Sequence, residues 1–239
     1  MTRILITGST EGLGYLAAKQ LLQDGNEVVL HARNQQRARD VLGKFPTGTK
    51  VVIGDLGIRS EVESIAKQAN EIGTFDAVIF NAGVDSTDSN LTFKVNDLAP
   101  YLLTALLNKP KRIIYLSSSM HQGVSLDIAN LEKTTSYSSS KLQILLLTKT
   151  LARLYPDISI NAVDPGWVPT RMGGSMAPDD LTAGYATQVW LATNDRQVTG
   201  EYLHHLKQSP YDHRVDDVKL QNRYLQALEQ ISGVKISFN

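Results

Sequence analysis

Tyr137 and Lys141 stand four residues apart in the run Tyr137-Ser138-Ser139-Ser140-Lys141. On a helix that spacing puts both side chains on one face, with an ammonium beside a phenol. A phenol ordinarily titrates at about pH 10 and is a poor proton donor or acceptor near neutrality. A fixed positive charge favours the phenolate and is expected to draw the pKa toward working pH. The same spacing also describes an ordinary surface pair, so its meaning depends on what surrounds it.

Near the start of the chain, Thr7-Gly8-Ser9-Thr10-Glu11-Gly12-Leu13-Gly14 follows an apolar run and opens a segment of helical period. Gly8 permits a tight turn, Gly12 lets a pyrophosphate approach the backbone, and Gly14 allows close helix–strand packing. A helix N-terminus at this point offers N–H groups and partial positive charge to phosphate oxygens. Ser9, Thr10, Glu11 and Leu13 complete the candidate turn. A glycine turn without a ligand has the same composition; the strand before it and the helix after it favour the nucleotide reading.

The second apolar run ends in Leu30-His31-Ala32-Arg33-Asn34. A site selective for NAD places a carboxylate here to accept from the ribose 2′-hydroxyl. Ala32 takes that position and Arg33 follows, so nothing repels a 2′-phosphate and a guanidinium is at hand to bind it. NADP(H) is therefore favoured over NAD(H), with Glu11 opposing unless it points away. Asp55 and Leu56 follow the third run, where Asp55 can accept from an adenine amino group. Asn81-Ala82-Gly83 follow the fourth, at the carboxyl ends where open α/β sheets bind ligands. Asn81 meets the cofactor, tethers neighbouring loops, or does both.

These residues need a scaffold that brings loop ends together, and the pattern supplies one. Strands are expected at 3–7, 27–31, 50–53, 77–80, 112–117, 159–163 and 200–204. Helices are expected at 14–23, 35–45, 59–71, 96–107, 137–155 and 181–192. Little in/out alternation in the early runs fits strands buried on both faces. The βαβα rhythm predicts a Rossmann-type doubly wound parallel sheet of about seven strands with helices on both faces, in one domain over residues 1–239. A further helical pattern, Leu220, Tyr224, Leu228 and Ile231, is expected on the sheet edge or a partner subunit.

Composition narrows the function. Lys plus Arg and Asp plus Glu both number 24, giving zero net charge and no broad footprint for nucleic acid or anionic membrane. Cysteine is absent, which excludes disulfides, thiolate catalysis and cysteine-ligated zinc. The five histidines form no HExxH pattern, so no metal site is expected. The apolar N-terminal run is too short for a signal peptide, and no stretch approaches the roughly 20 apolar residues of a membrane span. Cytoplasm is the expected compartment.

Taken in order, Thr7-Gly-x-x-x-Gly-x-Gly14, Asp55-Leu56, Asn81-Ala-Gly83, Asn96, Ser118, Tyr137-x-x-x-Lys141 and Pro165-Gly166-x-x-x-Thr170 resemble the short-chain dehydrogenase/reductase family nearly end to end. The glycine spacing and length are similar to its compact single-domain branch. Ser117-Ser118-Ser119-Met120-His121, Ala32-Arg33-Asn34 and Asp164-Pro165-Gly166-Trp167-Val168 look like retinol-dehydrogenase-like reductases of aldehydes and ketones, a subgroup that largely uses NADP(H).

The resemblance implies a small carbonyl or alcohol substrate and a homodimer or homotetramer. It makes Tyr137 the general acid/base, with Lys141 tuning it and bonding the nicotinamide ribose. Ser118 donates to the substrate oxygen, although Ser117 and Ser119 are neighbours an alignment slip would confuse with it. Asn96 interrupts a helix and holds a water in the proton path, or else serves as a helix N-cap. Pro165, Gly166, Val168 and Thr170 belong to a loop over the nicotinamide carboxamide. Residues 119–136 and 171–180 are the expected substrate loops, the second a mobile lid containing Gly173, Gly174 and Pro178. Trp167, Met172 and Met176 are candidate pocket residues or plain packing, and His121 reads as a solvated loop histidine in preference to a substrate contact. The competing functions are an inactive dinucleotide-binding regulator and an epimerase or dehydratase on the same scaffold.

Overall fold

A computed structural model describes residues 1–238. Its strands are β1 (Arg3–Ile6), β2 (Glu27–Ala32), β3 (Lys50–Ile53), β4 (Ala77–Phe80), β5 (Arg112–Leu116), β6 (Ser159–Asp164), β7 (Tyr202–His204) and β8 (Lys207–Gln208). They form one sheet in the order β3-β2-β1-β4-β5-β6-β7-β8. All neighbouring pairs are parallel except β7 and β8, an antiparallel hairpin. The chain winds outward one way from β1 to β3 and the other way from β4, so the crevice between β1 and β4 is the topological switch point. Residues of β4 and β6 are buried throughout, which explains their apolar or tightly bonded composition.

The helices are α1 (Gly12–Gln23), α2 (Gln35–Leu42), α3 (Arg59–Ile72), α4 (Ser89–Phe93), α5 (Ala99–Leu106), α6 (Leu131–Thr134), α7 (Tyr137–Leu154), α8 (Leu181–Thr193) and α9 (Val218–Ser232). Two apolar layers flank the sheet. One packs Ala17, Leu21 and Leu191 of α1 and α8 against Ile4, Ile6 and Ile79. The other packs α3, α5 and α7 against Leu5, Val78 and Ile113, and takes in Tyr224 and Leu228 of α9. Leu145, Leu146, Leu147 and Leu151 of α7 are completely buried, each such burial stabilising by about 1.5–3 kcal/mol.

Several boundaries differ from expectation for local reasons. The helix expected to begin at Asn96 begins at Ser89, because Asp88 Oδ1 accepts from the N–H groups of Asn90 and Leu91. One turn of π-helix, Lys94–Leu98, then joins α4 to α5 and contains Asn96. Asn96 is thus no N-cap. Hairpin strand β8 arises from a two-residue turn at His205 and Leu206, both with positive φ (47° and 67°). Helix α9 lies across α7, not on the sheet edge: Arg153 Nε donates to Gln221 Oε1 at 2.7 Å. Beyond it, Tyr101 Oη donates to Val234 O at 2.7 Å and Tyr155 Oη to Ile236 O at 2.9 Å.

Candidate active site

The glycine turn between β1 and α1 has the close contacts its spacing implies. Gly8 and Gly12 have φ of +64° and +61°. A Cβ on Gly14 would lie 2.4 Å from Asn81 Nδ2 and 2.6 Å from Gly8 O. Asn81 Nδ2 donates to Thr7 O and Gly8 O, both at 3.1 Å, and Ala82 N–H donates to Thr7 Oγ1 at 3.1 Å. The Asn81 side chain therefore makes the expected tether between neighbouring loops. Leu13 continues α1 as its second residue. Helix α1 has no side-chain cap and no acidic residue in its first turn, so no side chain of the cap competes for its leading N–H groups. Such a helix N-terminus, beside glycines that leave the backbone open, fits a dinucleotide pyrophosphate.

Ser9 differs from a ligand-facing hydroxyl. It is buried, donates to Ile6 O at 2.9 Å and accepts from His31 N–H at 2.9 Å. His31, which the sequence reading passed over, completes this knot. Its Nδ1 accepts from Gly8 N–H at 3.0 Å while Nε2 donates to Gly54 O at 2.9 Å. Both bonds require the neutral ring. Burial pushes the His31 pKa below the usual imidazole range, against the Gly54 carbonyl and the Asp55 charge.

At the adenosine end, Ala32 is buried as the last residue of β2 and Arg33 is exposed beyond it. Arg33 Nε is 4.0 Å from Asp55 Oδ2, and Asp55 Oδ1 accepts from Gly57 N–H at 2.8 Å. Leu56 contributes its side chain to the core. Glu11 does not stand alone against a phosphate. Its Oε1 lies 3.2 Å from Arg37 Nη1 and 3.6 Å from Arg171 Nη1, and the same Arg37 nitrogen is 3.5 Å from Thr10 Oγ1. Arg37 and Arg171 were missed; the only signal for Arg37 was its place three residues after Asn34, whose Oδ1 caps α2 through Arg37 N–H.

Lys141 Nζ lies 5.2 Å from the centre of the Tyr137 ring, the juxtaposition expected on one face of α7. The same Nζ donates to Leu116 O at 3.0 Å, and Ser117 Oγ donates to Lys141 O at 2.8 Å. These bonds sort the serines. Ser117 is buried and turned into α7, whereas Ser118 accepts from Met120 N–H at 3.3 Å and keeps its own proton free to donate. Ser119 N–H donates to Asp164 Oδ2 at 3.1 Å. A capping box between Ser136 and Ser139 starts α7 and sets the pitch of Tyr137.

Asn96 enters from the π turn. Its Oδ1 accepts from Val84 N–H at 2.8 Å, and its Nδ2 donates to Val84 O at 2.9 Å and Ser140 Oγ at 2.9 Å. The amide is engaged with protein on both sides, so its evident role is a clamp between the β4 loop and α7. Gly83 sits within this group: a Cβ there would lie 3.4 Å from Asn96 Oδ1 and 3.5 Å from Lys141 Nζ.

The expected depression of the Tyr137 pKa is absent. Burial pushes the phenol up to about 12, with the charges of Asp85 and Asp164 adding to the rise. Lys141, itself buried, is lowered to about 8 by desolvation, while Asp97 and Asp164 hold it up. Desolvation is the largest influence on both residues.

Two loops close over this group. Asp164 ties them together, accepting from Ser119 N–H and, through Oδ1, from Gly166 N–H at 2.9 Å. The segment after Pro165 is braced within itself. Trp167 N–H donates to Asp179 Oδ2 at 2.6 Å, Trp167 Nε1 to Gly173 O at 2.8 Å, and Gly173 N–H to Thr170 Oγ1 at 3.2 Å. Val168 is buried beneath it, whereas Trp167, Met172 and Met176 are exposed and do not line an enclosed pocket. His121 is completely buried and not solvated: Nδ1 meets Ser118 O at 2.6 Å, and Nε2 accepts from Asp212 N–H at 3.1 Å. Gln122 Nε2 donates to Pro210 O at 3.2 Å and Arg214 Nη2 to Val124 O at 2.6 Å. Residues 210–214 thus strap the loop that follows Ser118, a contact without local sequence signal. Beside it, Leu126, Leu142, Leu146, Arg214, Val215 and Leu220 line a cavity of about 130 Å³.

Comparison with known proteins agrees with this architecture. The family model described as short chain dehydrogenase matches residues 2–181. Short-chain dehydrogenase chry4 of Gibberella zeae is 39% identical over 256 aligned positions, covering 99% of both chains. Retinol dehydrogenase 14 of Mus musculus is 30% identical over 207 positions, covering 71% of this chain and 62% of its own. A short chain dehydrogenase from Burkholderia cenocepacia, solved in complex with NADP, has the same fold with a TM-score of 0.71 at 22% identity, covering 85% of this chain and 95% of that one. No helix among the described residues is long and apolar enough to cross a membrane. The chain is an oxidoreductase belonging to the short-chain dehydrogenase/reductase family.

Proposed function

We propose that the protein moves a hydride between NADP(H) and a small aldehyde, ketone or alcohol, with Tyr137 as general acid/base. The observation that carries this reading is the Lys141 ammonium 5.2 Å from the Tyr137 ring, bonded to the strand end that presents Ser118. The bound dinucleotide supplies or accepts the hydride.

In the reducing direction Tyr137 Oη gives its proton to the carbonyl oxygen, and a phenol titrating at about 12 holds that proton at neutral pH. Ser118 Oγ donates to the same oxygen as negative charge develops. In the oxidising direction Tyr137 must first be the phenolate, which the Lys141 charge favours and alkaline pH supplies. Lys141 would also bond the ribose hydroxyls of a bound dinucleotide, and Asn96 holds the β4 loop against the first turn of α7. Gly8, Gly12 and the N–H groups opening α1 hold the pyrophosphate. Asn81, Ala82 and Gly83 would line the dinucleotide site, and Pro165, Gly166, Val168 and Thr170 would hold its carboxamide. Arg33 and Arg37 take the 2′-phosphate, and the Glu11 carboxylate, already balanced by Arg37 and Arg171, does not forbid it. Substrate enters between residues 119–136 and 171–180.

A panel of aldehydes and ketones, assayed with NADPH and NADH at the reduced-nicotinamide absorbance band, tests this. Oxidation of NADPH is expected with at least one carbonyl class. Tyr137→Phe should reduce turnover about 10²–10⁴-fold while dinucleotide affinity persists. Tight dinucleotide binding with no absorbance change across the panel would favour a regulator or a redox-neutral reaction instead.

A further inference from the structure

Lys141 holds a charge that burial opposes, yet among the described residues its one hydrogen bond goes to an uncharged group, Leu116 O at 3.0 Å. An ammonium has three N–H donors, so two are not accounted for by that bond. Asp97 sits on the π turn one residue after Asn96, whose Nδ2 donates to Ser140 Oγ at 2.9 Å one residue before Lys141, so the turn and α7 bring the two buried charges into one neighbourhood. It is completely buried, and neither carboxylate oxygen has a hydrogen-bond partner among the described residues. Buried carboxyls are ordinarily bonded or paired, because the isolated charge is strongly disfavoured away from water. The hydroxyl of Tyr224, brought into the same core by α9, is also buried without a partner.

We propose that Asp97 is a positioning residue whose buried carboxylate acts through space on Lys141 and keeps the positive charge on Nζ as the pH rises. The proposal rests on reading Tyr137 and Lys141 as the proton-transfer pair. In acid the Asp97 carboxyl is neutral; on losing its proton it becomes the counter-charge that holds the proton on Lys141. The proton lost belongs to the pair rather than to either residue. Burial raises Asp97 well above the carboxylate range, and the Lys141 charge pulls it back. Burial lowers Lys141, and Asp97 is the largest influence raising it again.

The surrounding charges are few. Asp164 on β6 also favours the Lys141 cation, but its oxygens are already engaged, accepting from Ser119 and Gly166 N–H. Tyr137 and Lys141 face the cluster from α7, Tyr224 from α9 and Tyr115 from β5, where Tyr115 Oη is bonded to Thr104 Oγ1 at 2.6 Å. Asp85 acts on Tyr137 from the β4 loop. Of the two carboxyls that act on Lys141, Asp97 is the one whose oxygens have no hydrogen-bond partner among the described residues.

The test follows Lys141 directly. Protein with carbon-13 at lysine Cε is titrated by NMR without dinucleotide or substrate, Lys141→Arg identifying the resonance. The Lys141 midpoint is expected to fall by about one pH unit in Asp97→Asn. Asp97→Val, which also removes the unpartnered polar atoms, should shift it the same way and serves if the amide variant does not fold. Midpoints equal to wild type in the folded variants overturn the proposal, even if melting temperature drops. Once a substrate is known, the alkaline limb of the rate profile should move toward acid in both variants. Because the NMR arm needs no turnover, a failed Tyr137→Phe result would refute the proton donor and leave this coupling to be judged separately.

Discussion

Asn96 Nδ2 donates to Ser140 Oγ at 2.9 Å across 44 residues of sequence, and Ser140 Oγ in turn donates to Tyr137 O at 2.6 Å. The π turn is therefore wired to the first turn of α7, one residue before Lys141. Ser140→Ala removes both bonds and leaves a buried amide hydrogen unpaired, a loss of about 1–3 kcal/mol. A lower melting temperature and a reduced turnover number are expected, with Asn96→Ala more severe because it also releases both bonds to Val84. Melting curves that coincide with wild type would mean the clamp adds nothing.

Dinucleotide selectivity should follow the two arginines. Arg33→Ala combined with Arg37→Ala is expected to weaken NADPH far more than NADH, and added salt should erode the wild-type preference because both guanidinium groups are partly exposed. Glu11→Gln removes the carboxylate competing for Arg37 and should tighten NADPH binding. Fluorescence titration of the two reduced dinucleotides reads all three effects. An unaltered affinity ratio in the double variant rejects the 2′-phosphate site.

Gly14→Ala probes the closest approach in the nucleotide turn. The new Cβ would fall 2.4 Å from Asn81 Nδ2 and 2.6 Å from a backbone oxygen, so Asn81 must leave its bonds to Thr7 and Gly8. Overpacking of this kind costs about 1–3 kcal/mol. Thermal melting and dinucleotide titration should both deteriorate; full retention of both would show that α1 slides outward freely.

Acid should loosen the same turn through His31. Its folded pKa is lowered, so the unfolded chain binds the proton more tightly and stability rises with pH across that interval. The His31 contribution is fully present above the ordinary imidazole pKa of about 6.5 and is lost as pH falls below it toward the folded value. His31→Gln should be less stable at neutrality yet show a flatter melting temperature between pH 7 and 5. A slope as steep as wild type would place the acid sensitivity elsewhere.

The parallel strands and the glycine turn were legible because apolar runs and glycine spacing are local properties. So was the face shared by Tyr137 and Lys141, which needs only helix geometry. Asp88 as the true helix start was legible in principle, since an Asp before Ser89 is a capping signal, but the apolar period drew attention to the later segment. The π turn was not, because one inserted residue leaves hydrophobic periodicity almost unchanged. Hairpin strand β8 was hidden since His205 and Leu206 are poor choices for positive φ. The elevated Tyr137 pKa was misjudged because pairwise charge is visible in sequence and desolvation is not. His121 was misread for a related reason: its partner Asp212 lies 91 residues later. Glu11 gained its meaning only when Arg37 and Arg171 converged on it.

The strap formed by residues 210–214 has a consequence for truncation. Domains fold as units, and Val215, Tyr224 and Leu228 belong to the same core as Leu5 and Val78. A chain cut before Pro210 therefore loses core side chains together with the partners that Asp212 gives His121 and Arg214 gives Val124. The loop following Ser118 takes its anchorage from residues about ninety positions downstream, so that distant stretch is as much a part of the wall as the loop itself.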